Sequence, residues 1–240
     1  VDVVVKECML HDQRFVAMKI KDAIVDQFRD KFGVRPDVDT KTPDLRIHVR
    51  GHKNQFSVAI DTSGNSLFMR DYRLATGEAP LKENLAAGLI GLTDWDKKSS
   101  IVDLFCGSGT ILIEAAMMAL NMAPGLQRKK FGFMNLLDFD KQAWDEVVQE
   151  AIDNEKEELD FKFYGHDIDK KMVDVAKRNA KNAGVLEHIE FKCTPVSVVL
   201  PPEEKSMVIC NPPYGSRIGD EDNLKDVYRD LGFTLKHRFN

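Results

Sequence analysis

No stretch of the 240 residues approaches the roughly 18 consecutive apolar side chains that a membrane-crossing helix requires. No charged start followed by an apolar run marks a secretory leader. Cysteine is scarce: Cys8, Cys106, Cys193 and Cys210 form no CxxC pair and have no histidine at metal-ligand spacing. A disulfide framework and a zinc site are therefore disfavoured, no metal is expected, and a reducing cytoplasm is the expected setting. Internal repeats and low-complexity tracts are missing. With 43% hydrophobic and 30% charged residues the composition excludes disorder and suffices for one good core or two small ones.

A strong charge of either sign is also lacking, since the net is −5. The local balance is uneven. Residues 1–98 carry 16 basic against 15 acidic side chains, and residues 99–240 carry 18 against 24. Residues 138–160 alone hold 10 acids and two lysines. Global charge thus decides nothing about a nucleic-acid partner, which needs only a local basic face.

Residues 1–75 read as a small α+β unit. Val1–Val5 reads as a strand, and residues 12–32 as an amphipathic helix with Val16, Ile20, Ala23, Ile24 and Phe28 on one face. Gly33 and Pro36 stop it. Leu45–Arg50, Phe56–Asp61 and Ser66–Arg70 read as short strands, the last two joined as a hairpin by Ser63-Gly64-Asn65. Residues 76–98 link this unit to the rest, with a helix over 80–92. From Ser99 strands and helices alternate: strand Ile101–Phe105, helix Ile111–Asn121, basic loop 124–133, acidic helix 141–159, strand Phe161–His166, helix Lys170–Asn182, strand Ile189–Cys193, strand Met207–Cys210 and helix Leu224–His237. That order predicts an α/β fold with a doubly wound parallel sheet over 99–240. The acidic helix reads most simply as a solvated face.

Three motifs carry chemistry. Asp103-Leu-Phe-Cys106-Gly107-Ser108-Gly109-Thr110 follows a strand and opens a helix, so its glycines allow a tight turn and close approach of a ligand. Leu112 stands where a dinucleotide fingerprint has its third glycine, which points away from NAD. The plain alternative is a strand–helix turn capped by Ser108 or Thr110. Gly165-His-Asp167-Ile168-Asp169 ends the next strand. An acid there accepts hydrogen bonds from ribose hydroxyls, or caps the following helix as Asp169 is expected to do. Asn211-Pro212-Pro213-Tyr214 closes a later strand with an amide, a stiff turn and an aromatic, a set suited to gripping a planar amine. Its plain alternative is a proline turn with a packed tyrosine. All three fall at C-terminal strand ends, where open α/β sheets bind ligands.

On these residues the chain resembles the class I S-adenosylmethionine-dependent amino-methyltransferases. Arg70-Asp-Tyr-Arg73, Ala79-Pro-Leu, Asn84-Leu-Ala-Ala, Ile113-Glu-Ala-Ala, Ala123-Pro-Gly-Leu-Gln-Arg128 and Asn211-Pro-Pro-Tyr-Gly-Ser-Arg217 narrow the resemblance to the THUMP-containing 23S ribosomal RNA guanine-N2 methyltransferases. Chains of that kind have also been called N6-adenine-specific DNA methylases. The resemblance covers nearly the whole chain, with residues 1–75 similar to the later part of the RNA-binding THUMP region. Departures are Asp71 where the family usually has Gly, Leu104 where it has Pro, and Cys193-Thr-Pro195 where an acid near the adenine is expected. Four of the seven strands of the class I fold are readable, the chain has no initiator Met and it ends inside a helix, so a fragment is expected.

The resemblance implies S-adenosylmethionine held by Asp103, Cys106, Gly107, Ser108, Gly109, Thr110, Asp167, Ile168 and Pro195. It implies a base amine gripped by Asn211, Pro212 and Pro213, with Tyr214 stacked on the base. Large-subunit ribosomal RNA is the implied partner, with Arg128, Lys129, Lys130 and Arg217 as candidate phosphate contacts. Apart from the resemblance, Arg46, Arg50, Lys53, Arg70 and Arg73 could form a positive edge on the N-terminal unit; for these and for the phosphate candidates the plain alternative is a solvated surface. The alternatives are an adenine-N6 DNA methyltransferase, a protein glutamine methyltransferase and a non-catalytic RNA-binding module.

Overall fold

The alternation in Ser-Ile-Val-Asp, residues 100–103, sends Ile101 to one face of a sheet and Val102 to the other, and both are fully buried. A strand covered on both sides is the mark of a parallel α/β sheet. The computed structural model describes residues 1–73, 81–202, 205–214 and 221–239, with the backbone alone for 221–223. It divides into two compact units: Val1–Ser66 with Lys129–Ala143, and Leu67–Arg128 with Trp144–Asn240.

The first unit holds β1 (Asp2–Lys6), α1 (Gln13–Phe32), β2 (Arg46–His52) and β3 (Gln55–Asp61). β1 pairs parallel with β2, and β2 pairs antiparallel with β3. Asp12 caps α1 by accepting from the N–H of Arg14 and Phe15, and Gly33 ends it at φ 70°. The buried line of α1 is Val16 and Val25, flanked by half-buried Ile20 and Ile24. Ala23 and Phe28, expected inside, are exposed. For Phe28, beyond the last buried position Val25, the reason is length: a 20-residue helix runs about 30 Å, against about 17 Å for the five-residue strand it packs on.

The hairpin also differs from expectation. It joins β2 to β3 through Lys53 and Asn54 at φ 50° and 62°, a two-residue turn of the type that suits strand twist. Ser66–Arg70 forms no strand. Instead Asp61 Oδ1 accepts from Ser63 N (2.9 Å) and Gly64 N (3.2 Å), which ends β3 in a side-chain-closed turn. Segment 129–143 docks here. Phe133 N donates to Thr62 O at 2.9 Å, and a Cβ on Gly132 would lie 2.5 Å from Asp61 O. Only glycine allows that approach.

The second unit contains α2 (Glu83–Gly91), β4 (Ser100–Asp103), α3 (Thr110–Ala119), most of α4 (Lys141–Asp153), β5 (Phe163–Asp167), α5 (Lys170–Asn182), β6 (Ile189–Cys193), β7 (Ser206–Val208) and α6 (Glu221–Arg238). Its sheet runs β6-β5-β4-β7, all parallel. The chain steps outward from β4 to β6, then crosses back to add β7 on the other side of β4. The strand order reverses there, and open sheets bind ligands at such a point. On one face Ile101 and Phe163 pack with α2, α3 and α5. On the other Val102 and Leu104 pack with Val196, Val199 and Leu231 of α6. The acidic helix α4 buries no side chain. No described helix is long and apolar enough to cross a membrane, and no described group of three His, Cys, Asp or Glu is placed to hold a metal.

Candidate active site

β4 ends on a carboxylate that the chain immediately uses. Asp103 Oδ1 accepts from Phe105 N at 3.0 Å, bending the backbone out of the strand. The turn is then tied to β5: Cys106 N donates to His166 O (2.9 Å), and Gly107 N donates to Asp167 Oδ2 (2.9 Å). Gly109 N closes the loop on Cys106 O at 2.7 Å. Both glycines have positive φ, 51° and 83°. They serve different ends. A Cβ on Gly109 would meet Ala176 Cβ at 3.1 Å and Phe191 Cζ at 3.2 Å, so its smallness lets α3 pack close to α5. A Cβ on Gly107 would meet nothing within 4 Å, so open space lies beside that turn. Ser108 O accepts from the buried Asn179 Nδ2 at 3.1 Å, and Thr110 begins α3.

Burial sets the electrostatics. Asp103 is 1% exposed, and loss of water pushes its carboxyl up to about 7, against the pull of the Phe105 N–H and with help from the Asp167 charge. Burial also raises the Cys106 thiol well above its ordinary value, and the Cys210 thiol to about 11, so neither is a ready nucleophile. His166 is buried with Nδ1 unpartnered among the described residues. Burial, aided by Lys192, holds its imidazole down at about 4, hence neutral at pH 7.

The other two motifs lie at neighbouring strand tips. Asp167 spends both oxygens on backbone: Oδ2 on Gly107, and Oδ1 on Asp169 N at 2.9 Å. Each retains a lone pair for a ligand hydroxyl. Asp169 caps α5 as expected. Thr194 N donates to Asp167 O (2.9 Å) and Cys193 Sγ to Ile168 O (3.4 Å), which brings the β6 end beside β5. Ile168 and Pro195 are exposed there. Ile209 N extends the β7 ladder to Val102 O at 3.0 Å. Beyond it Asn211 and Tyr214 are exposed, and Pro212 and Pro213 are half-buried.

The basic candidates scatter. Lys129 and Lys130 are exposed and belong to the first unit; Arg128 is 9% exposed, is already partnered and belongs to the second. Arg217, Gly215, Ser216 and Ala79-Pro80 lie outside the described residues. The positive edge expected on the N-terminal unit is corrected in part: Arg50 and Lys53 are exposed there, the others are not free to form it. Arg70 and Arg73 are in the second unit, their side chains 12% exposed and ion-paired with Glu114 and Glu83. Arg46 is paired with Asp2. Sequence reasoning missed these pairs and Asn179. The signal was a lone acid in each of two apolar helices, and an amide beside the Val173/Ala176/Ala180 stripe.

The sequence model described as the RMKL-like methyltransferase domain matches residues 70–240, and that of the THUMP domain matches residues 1–61. A Shewanella baltica protein named ribosomal RNA large subunit methyltransferase K/L is 47% identical over 96% of this chain and 33% of its own length. The chain thus spans about a third of the curated relatives it matches. A structure titled as a predicted N6-adenine-specific DNA methylase from Listeria monocytogenes superposes with TM-score 0.89 at 34% identity, covering 99% of this chain and 62% of that one. SMU.472, solved in complex with SAH, gives 0.87 at 33%, covering 98% and 63%. With most of its length matched by the first of these models, the chain belongs to the RMKL-like methyltransferase family.

Proposed function

We propose that this chain methylates an exocyclic base amine of large-subunit ribosomal RNA, guanine N2, using S-adenosylmethionine. One observation carries the reading: the glycine turn, Asp167 and Asn211–Tyr214 gather at the C-terminal ends of adjacent strands on either side of the strand-order reversal. The Shewanella relative's name supports the substrate, and the SAH bound to SMU.472 supports the cofactor. In this reading residues 1–75 contribute RNA binding, 76–98 link, and 99–240 carry the transfer.

The residues fit the cofactor. Asp103 is a buried carboxyl whose ionised form burial disfavours, and a cationic amino group beside it would offset that cost. Gly107 leaves room beside the turn for the methionine end, flanked by Cys106, Ser108, Gly109 and Thr110. Asp167 has lone pairs left for ribose hydroxyls, and exposed Ile168 and Pro195 flank the adenine side. Bound there, S-adenosylmethionine would supply an electrophilic methyl on a sulfonium that leaves as a neutral thioether.

The remaining difficulty is the nucleophile, an amine whose lone pair is delocalised into a base. The Asn211 amide oxygen and the Pro212 carbonyl accept its two N–H groups and hold the nitrogen pyramidal, and the two prolines keep both acceptors rigid. Positioning of this kind contributes up to about 7–11 kcal/mol. Tyr214, 55% exposed, stacks on the base, worth about 1–3 kcal/mol. A paired base cannot reach such a pocket, so the target is unpaired or flipped. Lys129, Lys130 and Arg217 are the proposed phosphate contacts, while buried, partnered Arg128 is not one.

The test is transfer of labelled methyl from S-adenosylmethionine to large-subunit RNA, to duplex DNA and to glutamine-bearing protein, with the product identified by mass. N2-methylguanosine is expected. N6-methyladenine in DNA would favour the activity in the Listeria neighbour's title, and methylglutamine or no transfer at all would overturn the proposal.

A further inference from the structure

Residues 70–73 cross α2 and α3 as a strap of buried charge. Arg70 Nη2 lies 3.4 Å from Glu114 Oε2, and the Tyr72 hydroxyl donates to Glu114 Oε1 at 3.0 Å. Arg73 reaches three groups. Its Nη2 donates to Leu81 O at 2.7 Å and to Thr110 Oγ1 at 2.9 Å. Its Nε stands 2.9 Å from Glu83 Oε1, an ion pair without hydrogen-bond alignment. Both carboxylates are almost wholly buried, and Asn182 Nδ2 holds Tyr72 O at 3.2 Å.

Two buried ion pairs are a poor source of stability, because well-packed apolar residues commonly do as well. The surroundings would allow that exchange, since Tyr72 of the strap packs in one buried apolar cluster with Ala86, Ile90, Ile111 and Ala115. What directed pairs add is register. Thr110 and Glu114 stand one turn apart on α3, so the strap grips the first turn of that helix. That turn continues directly from Gly107-Ser108-Gly109, and Ser108 Oγ lies 3.4 Å from Thr110 Oγ1.

We propose that Arg73 is a positioning residue for the candidate active site: through Thr110 it fixes the glycine turn in the form that receives the cofactor. Arg73 itself touches no reacting atom. The inference rests on the methyltransferase reading above and adds to it a residue outside the three motifs.

A double-mutant cycle tests it. Arg73→Lys keeps a cation beside Glu83, but a point charge cannot serve Leu81, Thr110 and Glu83 together. Thr110→Val removes the acceptor at constant shape, and Thr110→Ser restores it. Binding of S-adenosylmethionine is measured by calorimetry, beside thermal melting, on the full chain. Each of Arg73→Lys and Thr110→Val is expected to weaken binding about five- to tenfold, and the double variant no more than about tenfold, while Thr110→Ser recovers most of the affinity that Thr110→Val loses. Multiplying effects would show that the two residues act separately, and would overturn the proposal. So would an unchanged dissociation constant in Thr110→Val, which stands as a test even if Arg73→Lys fails to melt cooperatively. If the unsubstituted chain binds no S-adenosylmethionine, the methyltransferase reading itself fails, and this inference fails with it.

Discussion

The Asp167 carboxylate accepts the Gly107 N–H at 2.9 Å, so the tip of β5 holds the glycine turn that leaves β4. One side chain thereby joins two of the three motifs and still has lone pairs to offer a ligand. Asp167→Ala removes a charge-assisted bond of about 1.5–3 kcal/mol. Affinity for S-adenosylmethionine should fall by about ten- to a hundredfold while RNA affinity stays level. Calorimetry for the cofactor and filter binding for RNA check both halves.

If Asp103 receives the cofactor's amino group, as proposed, cofactor binding depends on pH. Its carboxyl is raised from 3.8 to about 7, so the fold alone favours the protonated form. That contribution to stability is complete below 3.8 and is lost as pH rises through 7. A cationic amino group favours the ionised form, so binding below pH 7 must release a proton. Affinity should therefore rise by up to about tenfold per pH unit until pH 7 and level off above it. Asp103→Asn should flatten the profile. Titrations at pH 5.5, 6.5 and 8 in buffers of differing ionisation enthalpy check the slope and the proton release.

Asp71 has φ 64°, in the left-handed region that favours glycine, at the position where the resembling family usually has Gly. Its side chain is exposed and gains little for the strain. Asp71→Gly should stabilise the protein by about 0.5–1 kcal/mol, and Asp71→Ala should destabilise it. Thermal melts of the three proteins, compared at one pH, check the order.

Lys129 and Lys130 are exposed beside a segment that folds with the first unit. If they contact phosphate, reversing both charges should weaken RNA binding and reduce the steepness of its salt dependence by about two ions. The slope of log affinity against log salt measures this directly.

Much of this was legible in the residues. α5 begins and ends where Asp169 and Ala183-Gly184 place it, because caps are local chemistry. The parallel sheet followed from alternation, since each strand must be covered by the helices that flank it in sequence. What was not legible is non-local. The β2–β3 turn has positive φ at Lys53 and Asn54 without a glycine to announce it. The docking of residues 129–143 on the first unit rests on a backbone approach at Gly132 that no periodicity reveals. Arg70 and Arg73 read as surface cations because their acidic partners lie 10 to 44 positions away.

The central claim is that cofactor and base amine meet at these strand tips, with Asn211 holding the amine. The most direct measurement is single-turnover methyl transfer by Asn211→Ala with the cofactor dissociation constant measured alongside. Loss of one of the two oriented acceptors should cut transfer by at least about a hundredfold, with cofactor affinity unchanged. Transfer at the unsubstituted rate would contradict the account.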